Sequence, residues 1–387
     1  MKKIFLILFI LFIFFAAELL CRFLIPDKDL GVLESVMAIT EEDPVLFWKQ
    51  CPDLNTTFQA AKLKTNSLGL RNKELKSSKG GGVERIICLG DSFTFGWGVD
   101  AHSAYPFVLE QALNNSGHED RKFEVVNAGE IGFSSYQGVR LLKNRLLAYS
   151  PDVLIIAYGF NDIDRYRFYI NNGREDKDLR PASGFLLHGG NLIRRSRLFV
   201  LFRRALFWLI DHNDRLSSLS LKKQVELAKL RVTPGDYESN LKKMIEIGTA
   251  DKSKIILMRV PLNLPLPLLS AYEEGILKDH SSLSTFYYLS GCEHEKKKQY
   301  ALARDSFKKA KDYLAFECVR DNRRYQEIMS QVAGDYRLPI VDVGRLFQES
   351  REGEGLFNGA KDPIHASARG HRIIAEELYD IIAGGDF

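Results

Sequence analysis

The chain has 387 residues, 45% hydrophobic and 27% charged, which is enough to bury a sizeable core as one large domain or two small ones and too apolar for a disordered chain. A formal net charge of +4 is mild for this length, and no nucleic-acid-binding motif occurs, so nucleic acid is excluded as an expected partner. Five cysteines do not make a disulfide scaffold in a chain this long, and no metal-ligand spacing such as C-x-x-C or H-E-x-x-H occurs.

Lys2 and Lys3 precede an apolar stretch, residues 4–25, interrupted only by Glu18 and Arg22. Its 22 residues suffice for a helix across a bilayer, which needs about 20. The lysines predict a cytoplasmic N-terminus and an extracytoplasmic remainder, periplasmic in a Gram-negative cell. Ala16-Ala17-Glu18 is a poor small-x-small cleavage site and Leu20-Cys21 lacks the small residue expected before a lipidated cysteine, so residues 1–25 are read as an uncleaved signal anchor. Glu18 and Arg22, four apart, are expected to pair near the outer interface.

Residues 26–83 read as a membrane-proximal extension with a few short strands, closed by the flexible tract Lys79-Gly80-Gly81-Gly82. From residue 84 the pattern becomes regular. Apolar runs at 85–89, 123–127, 153–158, 255–260 and 339–343 predict strands, and they alternate with helical stretches at 105–114, 137–149, 237–248, 322–336 and 367–382. Such alternation argues an α/β domain, 84–387, with a parallel sheet of about five strands covered on both faces.

Two mainly helical insertions interrupt it, 164–234 and 261–320. Within the first, helices are predicted at 191–210 and 214–231. Within the second, Gly291, Ala303, Phe307 and Ala310 match the small and aromatic positions of one tetratricopeptide-like helical hairpin, read as a cap on the sheet because one hairpin makes no solenoid. Cys21 falls in the anchor and Cys88 in a core strand, while Cys51, Cys292 and Cys318 are expected in an oxidising space, where Cys292 and Cys318 are a candidate pair for a bridge. The segment 192–210 sets Arg194, Arg195, Arg197, Arg203 and Arg204 among Leu, Phe and Trp208. It is either a helix at the membrane surface or a cap helix whose arginines face water.

Four clusters of reactive residues fall at the C-terminal ends of predicted strands: Gly90-Asp91-Ser92 with Gly96, Asn127-Ala128-Gly129-Glu130-Ile131-Gly132, Gly159-Phe160-Asn161-Asp162, and Asp362-Pro363-Ile364-His365. In a parallel sheet these ends point one way, so clusters distant in sequence can meet in one cleft. There His365 is placed to accept the Ser92 proton, Asp362 to fix the imidazole tautomer, and the Ser92 and Gly132 N–H groups with the Asn161 amide to receive an oxyanion. Activity is then expected to fall as His365 gains a proton at lower pH.

Gly-Asp-Ser, the later glycine, Gly-x-Asn-Asp and Asp-x-x-His, in this order, resemble the four blocks of the SGNH hydrolase superfamily, the GDSL esterases and lipases. The resemblance spans 85–382 with two interruptions. It implies a flavodoxin-like three-layer α/β/α fold and ester or thioester hydrolysis without metal or cofactor, with Ser92 as nucleophile, Asp362 and His365 completing a triad, and Gly132 and Asn161 in the oxyanion hole. Asp91 and Asp162 belong to the motifs but not to the triad. Membrane-anchored members of this layout are associated with acetyl groups on exported polysaccharide, so an acylated glycan is the candidate substrate. An O-acetyltransferase using the same residues is the close alternative, and a non-catalytic membrane-tethered scaffold of an envelope assembly is the alternative from another class. His102, His188, His212, His280 and His294 lie outside every block and read as surface or satisfied histidines, and His371 as a packing or capping residue.

Overall fold

The N-terminal run forms one helix, α1 (Lys2–Leu24), in the computed structural model of the chain. Its segment Ile4–Leu24, 21 residues, is long and apolar enough to cross a membrane and is almost entirely exposed. The structure describes residues 2–26, 29–116, 121–164, 173–181, 189–191, 193–263, 280–350, 355–359, 362 and 364–384. His188, Leu192 and the side chains of His280 and Cys318 lie outside them.

Helix α2 (Val32–Ile39) leads into two antiparallel hairpins, β1 (Thr40–Asp43) with β2 (Phe47–Gln50) and β3 (Asn55–Phe58) with β4 (Ala61–Lys64). These hairpins are part of the main body. Leu46, Trp48 and Leu70 share one buried cluster with Leu89 and Val126 of the central sheet. The tract at 79–82 is tied down as well, because Lys79 Nζ donates to both carboxylate oxygens of Asp152 at 2.6 and 2.7 Å.

The central sheet follows: β5 (Val83–Gly90), α3 (Ser92–Phe95), α4 (Tyr105–Asn115), β6 (Lys122–Gly129), α5 (Ser135–Leu141) and β7 (Val153–Ala157). The first insertion carries α6 (Arg197–Asp211) and α7 (Asp214–Glu226), and then come α8 (Pro234–Ala250) and β8 (Lys254–Arg259). The chain ends with α9 (His280–Lys296), α10 (Tyr300–Tyr336), β9 (Ile340–Asp342), α11 (Val343–Glu349) and α12 (Ala368–Ala383). All five central strands are parallel, in the order β6-β5-β7-β8-β9. That is the flavodoxin-like order, whose crevice opens at the C-terminal ends of β5 and β7, where the direction of winding reverses.

Alternate strand residues serve the two faces, as the two-residue period requires. Ile87, Leu89, Leu154, Ile156 and Leu257 pack against Tyr237, Leu241 and Met244 of α8 and Tyr325 and Met329 of α10. Ile86, Cys88, Ile155, Ile256 and Met258 pack against Tyr105 and Leu109 of α4 and Ile374 and Leu378 of α12. The result is an α/β/α sandwich with the five strands at their expected places.

The helices depart from expectation in four places. The stretch expected at 137–149 is α5, then a π turn (Leu142–Leu146) and a short 3-10 turn (Leu147–Tyr149). Helix α6 starts at Arg197, where the Ser196 hydroxyl caps it by accepting the Phe199 N–H at 3.2 Å. Helix α7 stops at Glu226, short of residue 231, and Arg231 beyond it turns inward to Asp176. Helix α10 runs unbroken for 37 residues, joining two stretches read as separate; no glycine or proline interrupts it before Gly334. Helices α9 and α10 meet where Gly291 lies against Phe307, so close that a Cβ would sit 2.6 Å from that ring. The Cys292 thiol is free.

Candidate active site

The turn after β5 is tight because its glycines permit close passage. A Cβ on Gly90 would fall 2.0 Å from Thr94 Oγ1, and one on Gly129 would fall 2.2 Å from the Phe95 nitrogen. Asp91 caps α3, its Oδ1 accepting the Phe93 N–H at 2.9 Å, and Gly96 ends the turn in the left-handed region at φ 82°. Ser92 is thereby the first residue of α3, at the winding-reversal crevice, with 6% of its surface exposed.

His365 comes from the other end of the chain. Its Nε2 lies 2.8 Å from Ser92 Oγ, and its Nδ1 lies 2.9 and 3.0 Å from the two carboxylate oxygens of Asp362. Asp362 Oδ1 also accepts the backbone N–H groups of His365 at 2.8 Å and Ile364 at 3.1 Å. Burial pushes the Asp362 carboxyl up, but the His365 side chain and these N–H donors outweigh it and hold the carboxyl below its ordinary range. An ionised carboxylate only accepts, so Nδ1 carries the proton and the Nε2 lone pair faces the serine hydroxyl. Such a relay can take the hydroxyl proton as the oxygen attacks a carbonyl.

Gly132 and Asn161 lie on the loops after β6 and β7. Gly132 has φ 77°, and among the described residues neither its N–H nor that of Ser92 has a protein acceptor. Asn161 is buried beside the Ser92 turn; its Nδ2 gives one hydrogen to Asp91 Oδ2 at 2.7 Å and keeps a second. Asp91 is thus a brace shared by the serine turn and the asparagine. Asp162 braces the third loop by accepting the Ser135 N–H at 3.0 Å and the Ser135 hydroxyl. Burial, opposed by those Ser135 hydrogen bonds, raises the Asp162 carboxyl to about 7.

Several residues outside every motif hold this arrangement. Trp48 Nε1 donates to the Ile131 carbonyl at 2.9 Å, and Gln50 Nε2 to the Gly129 carbonyl at 3.0 Å. Gln50 N–H donates to Glu130 Oε2 at 3.0 Å, and burial raises that carboxyl to about 8. From the first insertion, Arg231 Nη1 donates to the Gly132 carbonyl at 2.8 Å. Trp97 stacks on His365, and the Asn358 side-chain amide donates to the Trp97 carbonyl. None of these residues repeats at a motif spacing; Trp97, inside the glycine-rich turn after Ser92, carried the only local signal. His371 packs as expected, fully buried between Phe93 and Tyr105.

Residues 88–281, half of the chain, match the GDSL-like lipase/acylhydrolase family. Solved structures similar in fold include the following three. A lipase/acylhydrolase from Enterococcus faecalis is 14% identical, over 78% of this chain and 96% of that one, at a TM-score of 0.40. A catalytic mutant of an acetylxylan esterase from Geobacillus stearothermophilus is 16% identical, over 78% and 94%, at 0.41. An α/β hydrolase from the metagenome of Lake Arreo is 18% identical, over 78% and 95%, at 0.40. No curated protein matches the chain.

Proposed function

We propose a mechanism on the premise that the chain belongs to the GDSL-like lipase/acylhydrolase family and is a hydrolase of ester bonds. Ser92 Oγ attacks the ester carbonyl as its proton passes to His365 Nε2, and Asp362 stabilises the imidazolium. The oxyanion is received by the Ser92 and Gly132 N–H groups and the free hydrogen of Asn161 Nδ2, a donor set in which each member typically contributes about 100- to 1,000-fold in rate. His365 returns the proton to the departing alkoxide. Water, deprotonated by the same imidazole, then attacks the acyl-serine, and the carboxylic acid leaves as Ser92 regains its proton from His365 and the acid ionises in solvent. The observation that carries this reading is the unbroken contact chain from Asp362 through His365 to Ser92.

The place and the substrate belong to the same proposal. The bilayer-length helix Ile4–Leu24 preceded by Lys2 and Lys3 supports a single-pass protein with its catalytic domain outside the cytoplasmic membrane. The substrate is an acyl ester, with O-acetyl groups of an exported polysaccharide as the leading candidate on the family-level association alone. The deciding experiment compares the full chain with Ser92→Ala on p-nitrophenyl esters graded from acetyl to lauroyl. Hydrolysis by the native protein and its loss in the variant are expected, and equal rates would remove Ser92 from the mechanism. Acetate release against acetyl transfer, with and without a sugar acceptor, separates hydrolase from acyltransferase.

A further inference from the structure

Helix α6 has its polarity inverted relative to the surface helix of a soluble domain, which buries its apolar face and solvates its charges. Its arginines face the protein. Arg203 Nη2 and Arg204 Nη2 lie 2.7 and 2.6 Å from the two carboxylate oxygens of buried Glu34 on α2, and Arg204 Nη2 also donates to the Asp29 carbonyl at 2.9 Å. Val200 is buried with them, but six large apolar residues face outward. Leu201, Phe202, Leu206, Phe207, Trp208 and Leu209 are each between 44% and 64% exposed. Scattered exposed apolar residues need no explanation, but six large ones on a single helix form a patch that marks an interaction surface.

What covers that patch is indicated by how α6 begins. The Glu18 carboxylate, on the bilayer-length helix α1, accepts the N–H groups of Arg197 and Leu198, each at 3.0 Å, and the Ser196 hydroxyl at 2.8 Å. Arg22 bonds Glu18 at 2.9 Å and gives a further hydrogen bond to the Arg195 carbonyl at 3.2 Å, while Arg197 Nε donates to the Ile25 carbonyl at 3.2 Å. Glu18 lies between one and two turns from the C-terminal end of α1. If α1 spans a bilayer, the start of α6 is fixed at the depth of its outer interface. The expected pairing of Glu18 with Arg22 is present, but Glu18 does more than pair: it latches a second helix to the anchor. Trp208, with an amphipathic ring, sits on the exposed face, and such rings favour that depth.

We propose that α6 is an in-plane membrane helix whose outward Leu, Phe and Trp side chains enter the outer leaflet, so that the catalytic domain is held against the bilayer at a second point instead of swinging on its tether. The reading of 192–210 as a cap helix with water-facing arginines is set aside by the ion pairs to Glu34. The attachment reaches toward the active centre, because Ile39 at the end of α2 packs in one cluster with Phe95 and Ile131, neighbours of the serine turn and of Gly132.

The test uses the full chain reconstituted in phosphatidylcholine and phosphatidylglycerol vesicles with and without acyl-brominated lipid, reading tryptophan emission. Bromolipid is expected to quench the wild type, and Trp208→Phe, which keeps the apolar contact, to lose most of that quenching while hydrolysing p-nitrophenyl acetate as before. Absence of quenching, or equal quenching in the variant, overturns the proposal. So does quenching that disappears as the protein-to-lipid ratio rises, since that identifies a second copy as the cover.

Discussion

The Trp97 indole lies flat against the His365 imidazole, with ring centroids 5.0 Å apart and planes 12° from parallel, and Phe58 meets the indole edge-on at 4.8 Å. A stacked indole favours a cationic ring over a neutral one, by about 1–2 kcal/mol when partly desolvated. In the proposed mechanism the imidazolium forms as Ser92 gives up its proton, so the stabilisation falls on the transition state. Trp97→Ala is expected to lower kcat roughly 5- to 30-fold with little change in KM, and Trp97→Phe to restore part of it. Steady-state kinetics on p-nitrophenyl acetate check this, and a loss confined to KM would make Trp97 a substrate contact instead.

Trp48 acts on the other side of the reaction centre. Its Nε1–H fixes the Ile131 carbonyl, and that carbonyl belongs to the same planar peptide unit as the Gly132 N–H, so one hydrogen bond aims the other group. Trp48→Phe retains a ring against Phe133, now met edge-on at 5.6 Å, and under the Arg231 guanidinium, and removes the donor. One neutral hydrogen bond is worth about 0.5–1.5 kcal/mol, so kcat is expected to fall roughly 2- to 10-fold while the urea midpoint moves little. A parallel fall in stability and rate would show that Trp48 is packing alone.

Arg231 and Asp176 are a fully buried ion pair at 2.8 Å, with the guanidinium also serving the Gly132 carbonyl and Gln137 Oε1. Removing one partner of such a pair leaves an uncompensated charge and costs about 3–5 kcal/mol. Arg231→Met is therefore expected to unfold at much lower urea than the wild type. The double variant Arg231→Met with Asp176→Asn should recover much of the stability but not the activity, since the Gly132 carbonyl remains without its donor. Circular dichroism in urea and ester hydrolysis, measured on both variants, check the two halves of this expectation.

The parts legible in the sequence are those where one local signal suffices. Short apolar runs located all five parallel strands, and Ser92, Gly132 and Asn161 lie on the loops that leave three of them, while Asp362 and His365 come from a loop well beyond the last. What escaped depends on partners far along the chain. Nothing near Arg231 announces that it turns inward to Asp176 and Gly132, and nothing near Trp48 announces Ile131, because these contacts join an insertion and the extension to a loop of the central sheet. The inverted helix α6 was ambiguous for the same reason. Its composition suits a membrane surface or a cap, and only Glu34, on a separate element, decides which face its arginines take.

Two buried titrating groups give stability opposite slopes with pH. His371 is held to about 3, from an ordinary 6.5, by burial first and then by the neighbouring charges of His365 and Arg71. The folded state therefore keeps it neutral while the unfolded chain protonates it. Its contribution is whole above about 6.5 and is lost as pH falls toward 3. Glu130 is raised from 4.5 to about 8 by burial, so the folded state holds a proton that the unfolded chain releases. Its contribution is whole below about 4.5 and is lost as pH rises through 8. Glu130→Gln mimics the protonated carboxyl and keeps an acceptor for the Gln50 N–H. The difference in Tm between this variant and the wild type should accordingly widen in the variant's favour from pH 5 to about 9. A His371→Phe variant should gain on the wild type in the opposite direction, as pH falls from about 7 to 4. Thermal melts of the full chain across this range, with each variant read against the wild type at the same pH, measure both slopes, and parallel curves would mean that neither group titrates as its burial requires.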